Sequence, residues 1–525
     1  VSGASLTTEN IIAQLTTRRD TMDRYVETYY RFLARKVNIL GSDKHELFEI
    51  QRRNDQETLL RVFKVKKDSR KKIALIYERL FRNNETREIR LYGLDGHDEF
   101  KLEGEVNKGL KVRIIGGGDQ DKVIDQSLVR KGGKKTWVYD KPKGMDLQAG
   151  PETRSKVADK KGINRYDRQE FRYNYFGPNI FLGFNIDDGV FLGGGVNMTT
   201  HAFRKKPYAT RQQIKANYAI ATNSYNFVYK GEFKEVLGKF DFVLEADLRA
   251  PNYVQNFFGL GNETPTFVEE NGINFHRIRY EQYLIHPQIR REWLNRGQSL
   301  SFGFLFQSVK IENNEDRFVN DFENNGLDSL GLLENRKPFG ALSLDYQIDT
   351  RKDKLIPTQG FVFKAGMQFV QGLGSDDQDE IQFLRLKSSL STYLPLGGST
   401  SLALRVGGAH NFGDFLFFQA NSLGGSTNLR GYRNFRFAGR SSIYQNTELR
   451  IKLFKLRSFL FNGTFGLIGI NDIGRVWVND ENSNRLHHGY GGGIWFTPAQ
   501  ALVVSATYTR SSEDAVYFIR FGFLF

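Results

Sequence analysis

The chain of 525 residues contains no cysteine, so no disulfide and no thiolate metal site contributes to its fold. It also lacks any apolar run of about 18 residues, which excludes a membrane-spanning helix. Histidine is scarce at the amino-terminal end, where His45 and His97 stand alone within the first 200 residues. A two-metal catalytic centre needs more His and Asn ligands than that, and no G-N-H-[DE] run supplies them. The expectation is therefore no metal, no cofactor and no enzymatic activity. The opening VSGASLTTEN has neither an initiator Met, a basic n-region nor an apolar h-region. We therefore expect that a leader or an upstream domain has been removed. No nucleic-acid-binding motif is legible, so the excess of basic residues reads as a solvated basic surface with no nucleic-acid partner.

What is abundant is aromatic and glycine: 44 Phe, 23 Tyr and 52 Gly, with aromatics at 14%. That composition suits many-stranded β architecture. From about Asn179 onward, sixteen segments alternate apolar and polar residues between turn-like stretches. In SLSFGFLFQSV, Leu300, Phe302, Phe304 and Phe306 share one face, and Ser299, Ser301, Gly303 and Gln307 lie mostly on the other. In KFDFVLEADLR, Phe240, Phe242, Leu244 and Leu248 oppose Asp241, Glu245, Asp247 and Arg249. So many charges on the second face suit a wet lumen with lipid outside, and they do not suit the core of a soluble sandwich. Links after odd-numbered strands are often long (255–273, 313–336, 371–380, 413–442), and those after even strands are mostly short. This asymmetry predicts an all-β fold: a 16-stranded antiparallel transmembrane barrel over 166–525, with both ends on the short-turn, periplasmic side. The last strand, VYFIRFGFLF, places Tyr517, Ile519, Phe521, Phe523 and Phe525 on the lipid-facing register, with Phe525 expected in the interfacial girdle.

Residues 1–165 differ. They hold 36 Lys/Arg against 25 Asp/Glu, net +11, whereas the remainder holds 39 against 35, net +4. A long amphipathic helix is expected first, with Ile11, Ile12, Leu15, Met22, Tyr25, Val26, Tyr29 and Leu33 near one stripe. Strand-like ELFEIQRR and TLLRVFKVKK follow, and 129–165 reads as a linker or loosely packed segment. REIRLYGLDGHDEF and GLKVRIIGGGDQDKV echo one another at a 23-residue offset. Gly-Asp turns joining short strands are the favoured reading, ahead of a calcium-binding β-roll or a metal centre at Asp95, His97 and Asp119. The whole reads as a smaller mixed α/β periplasmic region.

The loop after the eleventh strand carries NLRGYRNFR, a fixed arginine in a glycine-rich, aromatic, basic setting. Here the sequence resembles the bacterial surface antigen family, the outer-membrane insertase and translocator barrels of the BamA and TamA type. Leu429-Arg430-Gly431-Tyr432 matches the family's (I/V/L)-R-G-(F/Y) loop motif. Glu448 in the twelfth strand, with Asp472 and Gly474 in INDIG of the thirteenth, occupies the positions where the family places the arginine's partners. The stretch DTRKDKLIPTQGFVF, with Asp349, Arg351, Pro357 and Gly360, looks like the family's turn between strands eight and nine. Physically, a guanidinium gives carboxylates a rigid donor fork, so Arg430 can pin a long loop inside the lumen. Arg433 or Arg436 is expected to balance the two acids.

The resemblance implies an outer-membrane location with the amino-terminal region in the periplasm. It implies insertion or translocation of client polypeptides through a seam between the first and last strands. Outer-membrane lipid and lipopolysaccharide would surround the barrel, and periplasmic or lipoprotein partners are possible companions. Two alternatives share the barrel: a two-partner-type secretion pore, and the membrane anchor of a hybrid with an upstream calcineurin-like metallophosphoesterase. The amino-terminal third departs from the family, because POTRA modules of β-α-α-β-β order cannot be placed in it. A passive porin is disfavoured, because porins lack the R-G-Y motif.

Overall fold

A computed structural model describes residues 2–293, 297–312, 316–327, 335–374, 381–457, 462–479 and 481–525. Parts of the expected loops 313–336 and 371–380 lie outside the described residues. The chain divides into two compact units, Val1–Arg172 and Tyr173–Phe525.

The first unit opens with one helix, Ser2–Ala34, on which Ile11, Leu15, Met22, Tyr25, Val26, Tyr29 and Leu33 are all exposed. Two stacks of parallel strands follow. One runs Lys36–Leu40, Glu88–Leu94, Lys111–Gly117, Thr136–Tyr139 and Thr153–Ser155. The other stacks Glu46–Arg52, Glu99–Glu103, Asp121–Asp125 and Met145–Gln148, and is widened by the hairpin Glu57–Val65/Lys72–Arg82. Each turn of chain gives one strand to each stack, which makes a short solenoid. Its core is a column of buried residues, among them Ile39, Phe48, Ile89, Leu91, Phe100, Val112, Ile114, Val123 and Val138. The echo between 87–100 and 109–123 is thus a structural repeat: Arg90 lies beside Arg113, and Phe100 beside Val123.

The stretch 129–165 is no linker. Thr136–Tyr139, Met145–Gln148 and Thr153–Ser155 are rungs of the solenoid: the first pairs with a rung on each side, and the other two are the last rungs of their stacks. A rung is held by backbone bonds to residues a full coil away, so its own few residues need no periodicity. At the corners, the Gly-Asp segments close turns: the Gly96 amide donates to Asp119 Oδ2 at 3.0 Å, and the His97 ring nitrogen pairs with the Gln120 carbonyl at 2.9 Å.

The second unit is a closed antiparallel barrel of sixteen strands. The strands used below are one (Tyr175–Asn185), two (Gly189–Thr200), five (Phe240–Asn256), seven (Gln298–Ile311), ten (Gln382–Gly397) and eleven (Thr400–Gly413). The last five are twelve (Ser441–Leu456), thirteen (Gly463–Trp477), fourteen (His487–Pro498), fifteen (Val504–Arg510) and sixteen (Ala515–Phe521). The alternation places apolar residues outward: Leu300, Phe302 and Phe304 of strand seven are exposed while Ser301 is buried. A wall with lipid outside and polar side chains inside accounts for both faces. The loops leaving odd-numbered strands five, seven and eleven pack together through Phe257, Phe318 and Phe417.

The carboxy-terminal end departs from the expected register. Tyr517, Ile519 and Phe521 are exposed on the outer face, but strand sixteen ends at Phe521 and Gly522 takes φ +102°. A positive φ at glycine reverses the side-chain register at no steric cost. Beyond it, Phe523 packs edge-on to Trp495 at 5.5 Å, and the Phe525 ring lies 6.3 Å from Tyr393. Trp495 and Tyr393 are both buried, so the last two aromatics leave the lipid face for the interior.

Candidate functional site: the docked arginine loop and the seam

The loop joining strands eleven and twelve folds back onto the inner wall. Asn421–Leu423 and Phe437–Gly439 form a small antiparallel ribbon at its neck, and the tip between them carries the arginine motif. Leu429 and Tyr432 are buried with Leu423, Phe437 and Val476 in one apolar cluster. Tyr432 stands edge-on to Phe437 at 5.2 Å and to His487 at 5.8 Å. These contacts seat the tip, and they leave Arg430 aimed along the wall.

Arg430 engages both expected acids. Its Nε donates to Asp472 Oδ2 at 2.7 Å and its second terminal nitrogen to Oδ1 at 2.7 Å, a bidentate fork. The Arg430 backbone amide adds a third bond to Asp472 Oδ2 at 2.9 Å. The remaining terminal nitrogen reaches Glu448 Oε1 at 2.5 Å. Arg430, Glu448 and Asp472 are all buried, and a planar fork can serve both carboxylates at once.

Two glycines make the approach possible. A β-carbon on Gly489 of strand fourteen would overlap the Arg430 carbonyl oxygen. Gly431 takes φ +98°, and a β-carbon there would press on Gly489 Cα at 3.2 Å. Gly474 makes room for Leu423 of the loop, whose Cδ1 would lie 2.9 Å from an added β-carbon.

The balancing cation is not the one expected from sequence. Arg450, two residues beyond Glu448 on the same inward face, donates from Nε to Glu448 Oε2 at 2.9 Å. Two arginines and two carboxylates therefore close a neutral buried quartet. Arg450 also donates to the Phe525 carbonyl at 2.9 Å, and its guanidinium lies 4.0 Å from the Phe523 ring centre. The turned-in tail and the loop tip thus share one support, Glu448–Arg450. The parity of Glu448 and Arg450 was the available sequence signal, and it was masked by the nearer arginines of the loop.

Arg433 and Arg436 serve elsewhere. Arg433 pairs with Asp187 at 3.3 Å and with Asp514 at 2.9 Å, and Arg436 binds Glu513 through Nε at 2.6 Å. Further cations hold the loop backbone. Arg520 of strand sixteen donates to the Ser426 carbonyl at 3.0 Å, and Arg405 of strand eleven to the Thr427 carbonyl at 2.6 Å.

The barrel closes at its weakest pairing. Strand one is paired to strand two along its whole length, from Tyr175–Thr199 to Asn185–Gly189. Among the described residues, its other edge meets strand sixteen only at Phe184–Ile519 and Asn185–Phe518. Along the unpaired stretch Tyr175, Phe176, Ile180 and Leu182 are strongly exposed. The turn at Gly522 removes the backbone that would otherwise continue the ladder.

The family model described as the Omp85 superfamily domain matches residues 174–523. No curated protein matches. Among solved structures, BamA from Haemophilus ducreyi lacking POTRA domains 1–3 is 13% identical, with 67% of this chain and 70% of that one covered and a TM-score of 0.46. CdiB from Acinetobacter baumannii is 14% identical over 67% of this chain and 59% of its own, with a TM-score of 0.42. CdiB from Escherichia coli is 14% identical over 69% and 65%, with a TM-score of 0.43. The chain thus spans less than two thirds of either CdiB.

Proposed function

Because the chain belongs to the Omp85 superfamily of outer-membrane insertase and translocator barrels, we propose that it inserts client β-strands into the outer membrane through the seam between strands one and sixteen. The observation that carries this reading is the seam itself. Strand one offers an apolar, lipid-facing edge from Tyr175 to Gly183 with no partner strand across it, among the described residues. Unpaired N–H and C=O groups in hydrocarbon are costly, and an incoming strand relieves that cost by β-augmentation. Alternating apolar and polar residues in the client would match the outer and inner faces of the wall.

The docked loop has a matching role. Pinned by Arg430, it lies against strands twelve to fourteen and braces the wall on the strand-sixteen side of the weak edge. No nucleotide, metal or covalent step enters this scheme. Lateral exchange of strand pairs is close to thermoneutral, because each backbone bond lost is replaced by another.

The test uses the cysteine-free background. Phe184 and Ile519 face one another across the seam, and the double variant Phe184→Cys/Ile519→Cys forms a lock when oxidised. In proteoliposomes, the oxidised form should lose insertion of a radiolabelled client barrel, and reduction should restore it. Insertion at the unlocked rate by the oxidised form would refute passage through the seam.

A further inference from the structure

Both hairpins that flank the seam end in acidic turns. Strands one and two are joined at 186–188, which includes Asp187, and strands fifteen and sixteen at 511–514, which includes Glu513 and Asp514. The turns adjoin the two surviving seam pairs, Phe184–Ile519 and Asn185–Phe518. Arg433 stands between them. Its NH1 lies 3.3 Å from Asp187 Oδ1 and its Nε 2.9 Å from Asp514 Oδ2, so one guanidinium touches the first hairpin and the last.

Neighbours hold each side in place. The Asn434 amide donates to Asp187 Oδ2 at 2.9 Å, and Asn256 of strand five donates to Asp187 Oδ1 at 2.8 Å. Arg436 grips Glu513 with two bonds, at 2.6 Å and 3.1 Å, and is itself fixed to Thr264 at 2.8 Å. The Arg433 and Asp187 side chains are 14% and 6% exposed, so the pair is shielded enough to outlast ordinary screening.

We propose that Arg433, bridging Asp187 and Asp514 with Arg436 on Glu513 alongside, is an ionic clasp that holds the outer end of the seam shut. The inference rests on the seam being the functional route. It adds that the seam opens as a wedge: the inner end, Tyr175 to Gly183, is already free, and full parting requires the loop to release one hairpin. Because Arg433 lies three residues from Arg430, movement of the docked tip and release of the clasp are one event. A client that displaces the loop therefore also unfastens the seam.

Disulfide formation between Phe184→Cys and Ile519→Cys reports closure of the outer end without any client. Arg433→Gln and, separately, Asp514→Asn should each slow it by about two- to five-fold, the size expected of one such ion pair. The double variant should be no slower than either single one, since both remove the same bridge. A pair at Tyr508→Cys and Tyr517→Cys, which face one another within the last hairpin, should form at the unaltered rate. Unchanged 184–519 closure in both single variants would overturn the clasp, even if the oxidised lock still stops insertion and the seam route stands. Slower closure with undiminished client insertion by the oxidised lock would leave the clasp standing and remove the seam as the route.

Discussion

The barrel and the amino-terminal solenoid both bury acids, and they keep them by opposite means. In the barrel, Glu448 and Asp472 lie in a neutral quartet with Arg430 and Arg450. In the solenoid, Asp98, Asp121 and Asp140 are equally buried, yet Oδ2 of each has no hydrogen-bond partner among the described residues. Their other oxygens are tied locally. The Glu46 amide donates to Asp98 at 2.8 Å, the Asp98 amide to Asp121 at 2.9 Å, and Asn164 to Asp140 at 2.9 Å. Burial, with acid neighbours adding, pushes the Asp98 carboxyl up to about 9 and Asp121 up to about 8; burial pushes Asp140 up to about 6. A buried acid with a cation beside it keeps its charge, whereas one without holds its proton to higher pH.

The sharpest way to break this contrast is to remove the cation from the barrel. Arg430→Ala leaves Asp472 without its fork and Glu448 with one partner, at a cost of about 3–5 kcal/mol. The loop should undock, read as new proteolysis between Asn421 and Gly439 and a lower unfolding temperature. Arg430→Lys should recover little, since an ammonium cannot span both carboxylates. Asp472→Asn in the Arg430→Ala background should add little further loss.

The solenoid should show the reverse dependence, on protons. A carboxyl whose folded value exceeds its unfolded value of about 3.9 binds more proton when folded throughout the interval between them. Its stabilisation is therefore complete below about pH 4 and is lost as pH rises through the folded values, here about 6 for Asp140 to about 9 for Asp98. Amide exchange in the rungs Glu88–Leu94 and Lys111–Gly117 should accelerate between pH 5 and 9 beyond the intrinsic trend, by an opening free energy on the order of a few kcal/mol. Asp98→Asn, which keeps the acceptor for the Glu46 amide, should flatten that profile. An unchanged slope would show that Asp98 is ionised in the fold.

Glycines give the mildest version of the comparison. A β-carbon at Gly116 would overlap the Asp121 and Asp140 carboxyls, while one at Gly489 would overlap the Arg430 carbonyl. Gly489→Ala should cost about 1–3 kcal/mol and loosen the loop without unpairing the wall, and protease sensitivity of the loop compared with intact barrel migration reads both.

Period-two alternation is a local property, and it was enough to specify sixteen strands, their lipid face and the inward parity of Asp472 and Gly474. The arginine motif and its two acids were legible through their resemblance to the family's loop motif, and the planar donor fork gives that pairing its physical reason. What tertiary structure alone decided depends on residues brought together from far along the chain. Arg450, two residues along the same strand face, took the second oxygen of Glu448 because the docked loop carries Arg433 and Arg436 away to Asp187, Asp514 and Glu513. Phe523 and Phe525 left the lipid face because one positive φ at Gly522 switched their register. Within 129–165, three short strands between Thr136 and Ser155 became rungs because each is held by a neighbour one coil away, a bond that no window of sequence contains.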